Sequence, residues 1–138
     1  MSFEEKGVWI YSVLVSVVSG VYFAYVLGQA RTINVAEIGY QIPLLISIGI
    51  VIALTIVGQI AAAIVTRDCG KTDQRDKDID RHGELYGYYV LSAGFALVLV
   101  MAMARAEHFW IANVMYLAGV LGTIASSIVK IVAYRRGF

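Results

Sequence analysis

The side chains with chemistry to offer are gathered in one stretch, Arg67 to Glu84, where Asp73, Asp76, Asp78, Asp80 and Glu84 alternate with Lys71, Arg75, Lys77 and Arg81. So many carboxylates in so short a segment raise divalent-metal binding first. The spacing argues against it: the Asp-x-Asp-x-Asp-Gly…Glu order of a calcium-binding hand is absent, and the interleaved lysines and arginines oppose entry of a cation. No metal is expected. Gly70-Lys71-Thr72 echoes the end of a phosphate-binding loop, but Val65 stands where its first glycine should be, and no strand precedes it. The lone cysteine, Cys69, reads as a reduced thiol, since it cannot form a disulfide within the chain or build a cysteine-based zinc site. His82 and His108 fall at opposite membrane faces in the topology derived below, so they cannot share a site. No Ser-His-Asp or Cys-His grouping can be assembled from what remains. The chain is therefore expected to be non-enzymatic, with no catalytic residue and no cofactor.

What the charged stretch can do is present a surface. From Asp73 its spacing is helical: Asp73 faces Lys77 and Lys77 faces Arg81, while Asp76, Asp80 and Glu84 line a second edge. One reading is a solvated helix leading into the apolar residues that follow. A sharper one is a docking surface for a cytosolic protein, with Arg75, Asp76, Asp80 and Arg81 as its contacts.

The elements that must position this surface follow from composition. Of 138 residues 59% are hydrophobic and only 15% charged, with a mean hydropathy of +0.74, too apolar for a water-soluble domain. A net charge of +1 also gives no basic patch for direct nucleic-acid binding. Crossing about 30 Å of hydrocarbon takes about 20 apolar helical residues. Four stretches meet that length, approximately 8–28, 42–66, 85–104 and 109–134, with the charged loop 67–84 between the second and third. Continuous hydrophobicity without alternation excludes a β-barrel. The expectation is a single domain over 1–138: an all-α integral membrane protein, a bundle of four transmembrane helices in contact with a lipid bilayer.

Orientation follows from basic residues, which concentrate on the cytoplasmic side. With the N-terminus inside, Lys6, Arg67, Lys71, Arg75, Lys77, Arg81, Lys130, Arg135 and Arg136 are cytoplasmic, against Arg31 and Arg105 outside. Both termini and the charged loop are thus expected in the cytoplasm. Trp9, Tyr11, Tyr40, Tyr86, Trp110 and Tyr134 fall near span ends, where amphipathic rings favour the headgroup layer. Glu4 and Glu5 and the long apolar run behind them do not suit a cleaved signal peptide, so the first span is expected to be retained. The outer segment Gln29–Gln41 suits the interface, and Pro43 opens the second span where its missing N–H is harmless. The short Arg105–His108 connection makes spans three and four antiparallel neighbours.

Within the spans, Ser12, Ser16, Gly20, Ala24 and Gly28 repeat at four-residue spacing along the first helix. A stripe of small residues lets another backbone approach closely, which is how helices associate in lipid. Its partner is either another span of this chain or a second copy, as a homo-oligomer. Ala118, Gly122 and Ser126 form a shorter series on span four, suited to a contact inside the bundle. The intramembrane polar candidates are Gln59, Asn113 and Lys130. Gln59 and Asn113 can hydrogen-bond between helices or line a cavity, and Lys130 can snorkel to the interface. No Asp or Glu lies inside any of the four spans, so proton-coupled exchange on a buried carboxylate is not expected.

The segment Asp73-Gln-Arg-Asp-Lys-Asp-Ile-Asp-Arg-His-Gly83, with Gly87-Tyr-Tyr-Val90, His108-Phe-Trp-Ile-Ala-Asn113 and Val129-Lys-Ile-Val-Ala-Tyr-Arg-Arg-Gly137, resembles a group of small four-span prokaryotic membrane proteins of unknown function. In that group an Asp-x-Arg-Asp-x-x-Ile stretch precedes the third span, and the genes commonly lie beside one for a helix-turn-helix transcription regulator. The resemblance covers chiefly the second half of the chain. It implies a multi-pass protein of the prokaryotic cell (inner) membrane and makes a transcription regulator the cytosolic partner to expect. The functional expectation is an interaction or regulatory module working through its charged loop. The alternative is a homo-oligomeric transporter or channel for a small solute or ion, with Gln59 and Asn113 as polar lining.

Overall fold

A computed structural model describes residues 3–66 and 74–136. It contains four long helices, α1 (Phe3–Ala30), α2 (Gln41–Thr66), α3 (Gln74–Met103) and α4 (His108–Arg136), and one turn of 3₁₀ helix, Val35–Glu37, between α1 and α2. Among the described residues there is no strand. All four helices are long and apolar enough to cross a membrane. The expected spans fall inside their helices, except that the third runs one residue past the end of α3, into the turn at Ala104. The difference is largest at α3, which begins at Gln74 rather than near Leu85 because the charged residues continue the same helix without a break. Residues 67–73, including Cys69 and Asp73, lie outside the described part.

The helices alternate in direction. Ile10 of α1 lies against Gly58 of α2, Asp80 of α3 pairs with Lys130 of α4, and the Arg135 guanidinium sits 5.7 Å from the centre of the Trp9 ring. The start of α1, the end of α2, the start of α3 and the end of α4 therefore share one end of the molecule. Packing follows the order α3, α4, α1, α2. Among the described residues no substantial contact joins α2 to α3, so the described bundle is open along that side.

The tightest seam is between α3 and α4. A methyl group built on Gly94 would collide with the Ala118 side chain, and one on Gly83 would collide with the Lys130 stem. On Gly87 it would stand 3.0 Å from the Gly122 carbonyl oxygen and 3.1 Å from Ser126 Cβ. The Ala118, Gly122 and Ser126 series thus meets glycines of α3, and both helices are small at the contact. In lipid, where apolar burial between helices gains little, such close backbone approach supplies the dispersion energy that holds them together.

The turn between these helices is a Schellman motif. The Ala106 N–H donates to the Met101 carbonyl and the Arg105 N–H to that of Ala102, with Arg105 left-handed at φ 55°. An arginine is strained there, whereas glycine is not. Replacing Arg105 by Gly is expected to stabilise the fold by about 0.5 kcal/mol, read as a higher thermal midpoint in detergent.

At the opposite end from the charged residues, Tyr22, Val26, Ile38 and Phe109 form a buried cluster. The outer segment is folded down onto it. Asn34 accepts the Ala36 N–H at 3.3 Å, which starts the 3₁₀ turn and delivers Ile38 into the core. Tyr40 closes edge-on against Phe109, with ring centres 5.3 Å apart.

Candidate functional site

Two regions carry the polar chemistry. The first is a buried hydrogen-bond knot at the junction of α1, α2 and α4. The Tyr22 hydroxyl donates to Asn113 Oδ1 at 2.8 Å, and Asn113 Nδ2 donates to the Phe109 carbonyl at 2.8 Å. One turn away the Tyr116 hydroxyl stands 3.1 Å from Ser19 Oγ and 3.2 Å from Ser47 Oγ, and Ser47 also reaches the Leu44 carbonyl at 2.8 Å. A hydroxyl has one hydrogen to give and can accept two, so all three can be satisfied at once. The rings of Tyr22 and Tyr116 meet edge to face, 5.2 Å apart, and fix the hydroxyls in place. Asn113, singled out from the sequence, is 6% exposed and occupied by its own partners. Tyr22, Ser19, Ser47 and Tyr116 complete the knot. Their roles depend on pairing across the fold.

The second region is the charged end of α3. Ile79 is fully buried and Gly83 is pressed against α4, so this part of the helix is packed rather than free-standing. Asp80 Oδ1 lies 2.6 Å from Lys130 Nζ; the Lys130 side chain is 13% exposed and that of Asp80 53%. Lys130 therefore does more than reach for the interface: its stem covers Gly83 and its ammonium ties α4 to α3. Of the four proposed docking residues, Arg75 and Arg81 are exposed, Asp76 is half-buried and Asp80 is engaged with Lys130. Lys77 and Asp78 are also exposed on this stretch.

The remaining sequence candidates face outward. Ser16, Gly20, Ala24 and Gly28 are exposed, Ser12 is half-buried, and a side chain added at Gly20 or Gly28 would meet nothing within 4 Å. The close packing inside the chain runs along α3 and α4, not along this stripe. Gln59 is exposed on α2.

Two lateral grooves flank α1. One, of about 420 Å³, is mainly apolar and lies between α2 and α4 beside Ser19, Ile52 and Tyr116. The other, of about 390 Å³, lies between α1 and the α3–α4 hairpin and has Glu84 and Lys130 in its walls. Among the described residues, no cluster of three or more His, Cys, Asp or Glu could hold a metal ion.

No family model, curated protein or solved structure matches the chain.

Proposed function

We propose that this is a multi-pass protein of the prokaryotic cell membrane, with both termini cytoplasmic, that acts without catalysis as a docking module for a cytosolic protein. The excess of basic residues at the end shared by the termini supports the orientation. The observation that carries the docking reading is the charged start of α3. It is one rigid continuation of an apolar helix, tied to α4 through Ile79, Gly83 and the Asp80–Lys130 pair, and it keeps Arg75, Lys77, Asp78 and Arg81 outside. A surface held in place before binding avoids the ordering entropy a flexible loop would lose. The resemblance noted above makes a transcription regulator the partner to try first.

Reversing charge at Arg75 and Arg81 together, to Glu, is expected to reduce recovery of the partner with the tagged protein by about tenfold or more, while membrane insertion and thermal midpoint stay unchanged. Undiminished recovery would end the docking reading. Asp80→Ala should instead lower the midpoint, because it leaves the Lys130 ammonium without its carboxylate.

A second reading, a homo-oligomeric transporter or channel, is favoured by one observation: Gln59 is exposed on α2, where a second copy could give it a partner within lipid. Asn113 contributes nothing to a lining, since its hydrogen bonds are used internally. A monomer in mild detergent and in lipid nanodiscs would exclude this reading.

A further inference from the structure

A side opening within a bilayer does not stay empty. The groove between α1 and the α3–α4 hairpin has an apolar and small-residue floor of Leu91, Gly87, Gly119 and Gly122. Gly119 has open space above it, since a Cβ there meets nothing within 4 Å. At the charged end, two groups of opposite sign enter the same wall. Glu84 lies one helical turn beyond Asp80, and Asp80 holds Lys130 at 2.6 Å. Glu84 and Lys130 thus both line the groove at its charged end, with Asp80 one turn from Glu84 on the same helix. Tyr11 and Tyr88 line the same groove.

We propose that this groove is a binding site for one zwitterionic membrane phospholipid with a primary-ammonium head. The lipid ammonium lies at Glu84, where it can donate charge-assisted hydrogen bonds, and its phosphate accepts from Lys130, whose ammonium has three N–H donors and gives one to Asp80. One acyl chain runs over the glycine floor. The charges decide the head class: with Asp80 already on Lys130, a purely anionic lipid would bring its charge against two carboxylates, Asp80 and Glu84, with nothing to offer Glu84. The inference rests on the membrane reading but is independent of docking, because none of its residues is Arg75 or Arg81.

The test is native mass spectrometry of the protein released from mixed micelles holding equal phosphatidylethanolamine and phosphatidylglycerol. The wild type is expected to retain one phosphatidylethanolamine. Glu84→Gln should weaken that retention about tenfold, the size expected for losing a charge-assisted hydrogen bond. Gly119→Leu should abolish it by filling the groove, with a lipid-free thermal midpoint close to the wild type because nothing stands in its way. Ile52→Trp, which obstructs the apolar groove on the other side of α1, should leave it unchanged. Preference for phosphatidylglycerol, retention insensitive to both Glu84→Gln and Gly119→Leu, or loss with Ile52→Trp would each overturn the proposal. Failure of docking would show in partner recovery alone, and failure of the membrane reading as a protein soluble without detergent.

Discussion

Gly94→Leu is expected to destabilise the protein by about 3 kcal/mol, the largest effect of any single substitution considered for this chain. The Cβ alone would collide with Ala118, and the added branch has nowhere to go while α3 and α4 keep their separation. The helices must move apart, losing contact at Gly87 and Gly122 as well, because rigid neighbours share one seam. Thermal unfolding in detergent, followed by circular dichroism, measures it. The comparison variant is Gly20→Leu on α1, where the new side chain meets open space and the fold should change by about 0.5 kcal/mol or less. If both variants melt alike, the α3–α4 seam is not what holds the hairpin. If Gly20→Leu leaves the midpoint intact but changes particle mass in detergent, the outward stripe serves contact between copies.

The second large effect is at the buried knot. Asn113→Ala strips the buried Tyr22 hydroxyl of its acceptor, at a cost of about 1–3 kcal/mol. Tyr22→Phe should cost less, about 1 kcal/mol, because Asn113 keeps its bond to the Phe109 carbonyl. Combining Tyr22→Phe with Asn113→Ala removes both polar partners and should fall short of the sum of the two single effects, the signature of a direct pair. Additive losses in this cycle would show that the two side chains do not act on each other.

Much of the architecture was legible because one solvent governs it. Long apolar runs that must satisfy their own backbone in lipid can only be helices, and four such runs are plain in the residues themselves. The α3–α4 hairpin followed from the short Arg105–His108 link, and one side of its seam from Ala118, Gly122 and Ser126. The other side was hidden, because Gly83 sits among charges and Gly94 is seven residues from Gly87, breaking the four-residue rhythm that exposes a stripe. Conversely, the most regular stripe, on α1, turned outward: spacing shows that a backbone can be approached, not what approaches it. Asn113 was visible as a polar residue in an apolar run. Its partner Tyr22, 91 positions away, was not, since a tyrosine in a span has no local feature that separates a knot from a belt. The charged stretch read correctly as helical. That Asp80 serves Lys130 depended on how two helices pass each other, which no spacing within one helix reveals.

α3 runs 30 residues without a proline or a break, a rod of about 45 Å. Among the described residues it is braced mainly by α4, and its opposite flank has no substantial contact with α2. A push at Arg75 is thus carried down the whole rod and passed to the rest of the molecule chiefly through α4 where it meets α1.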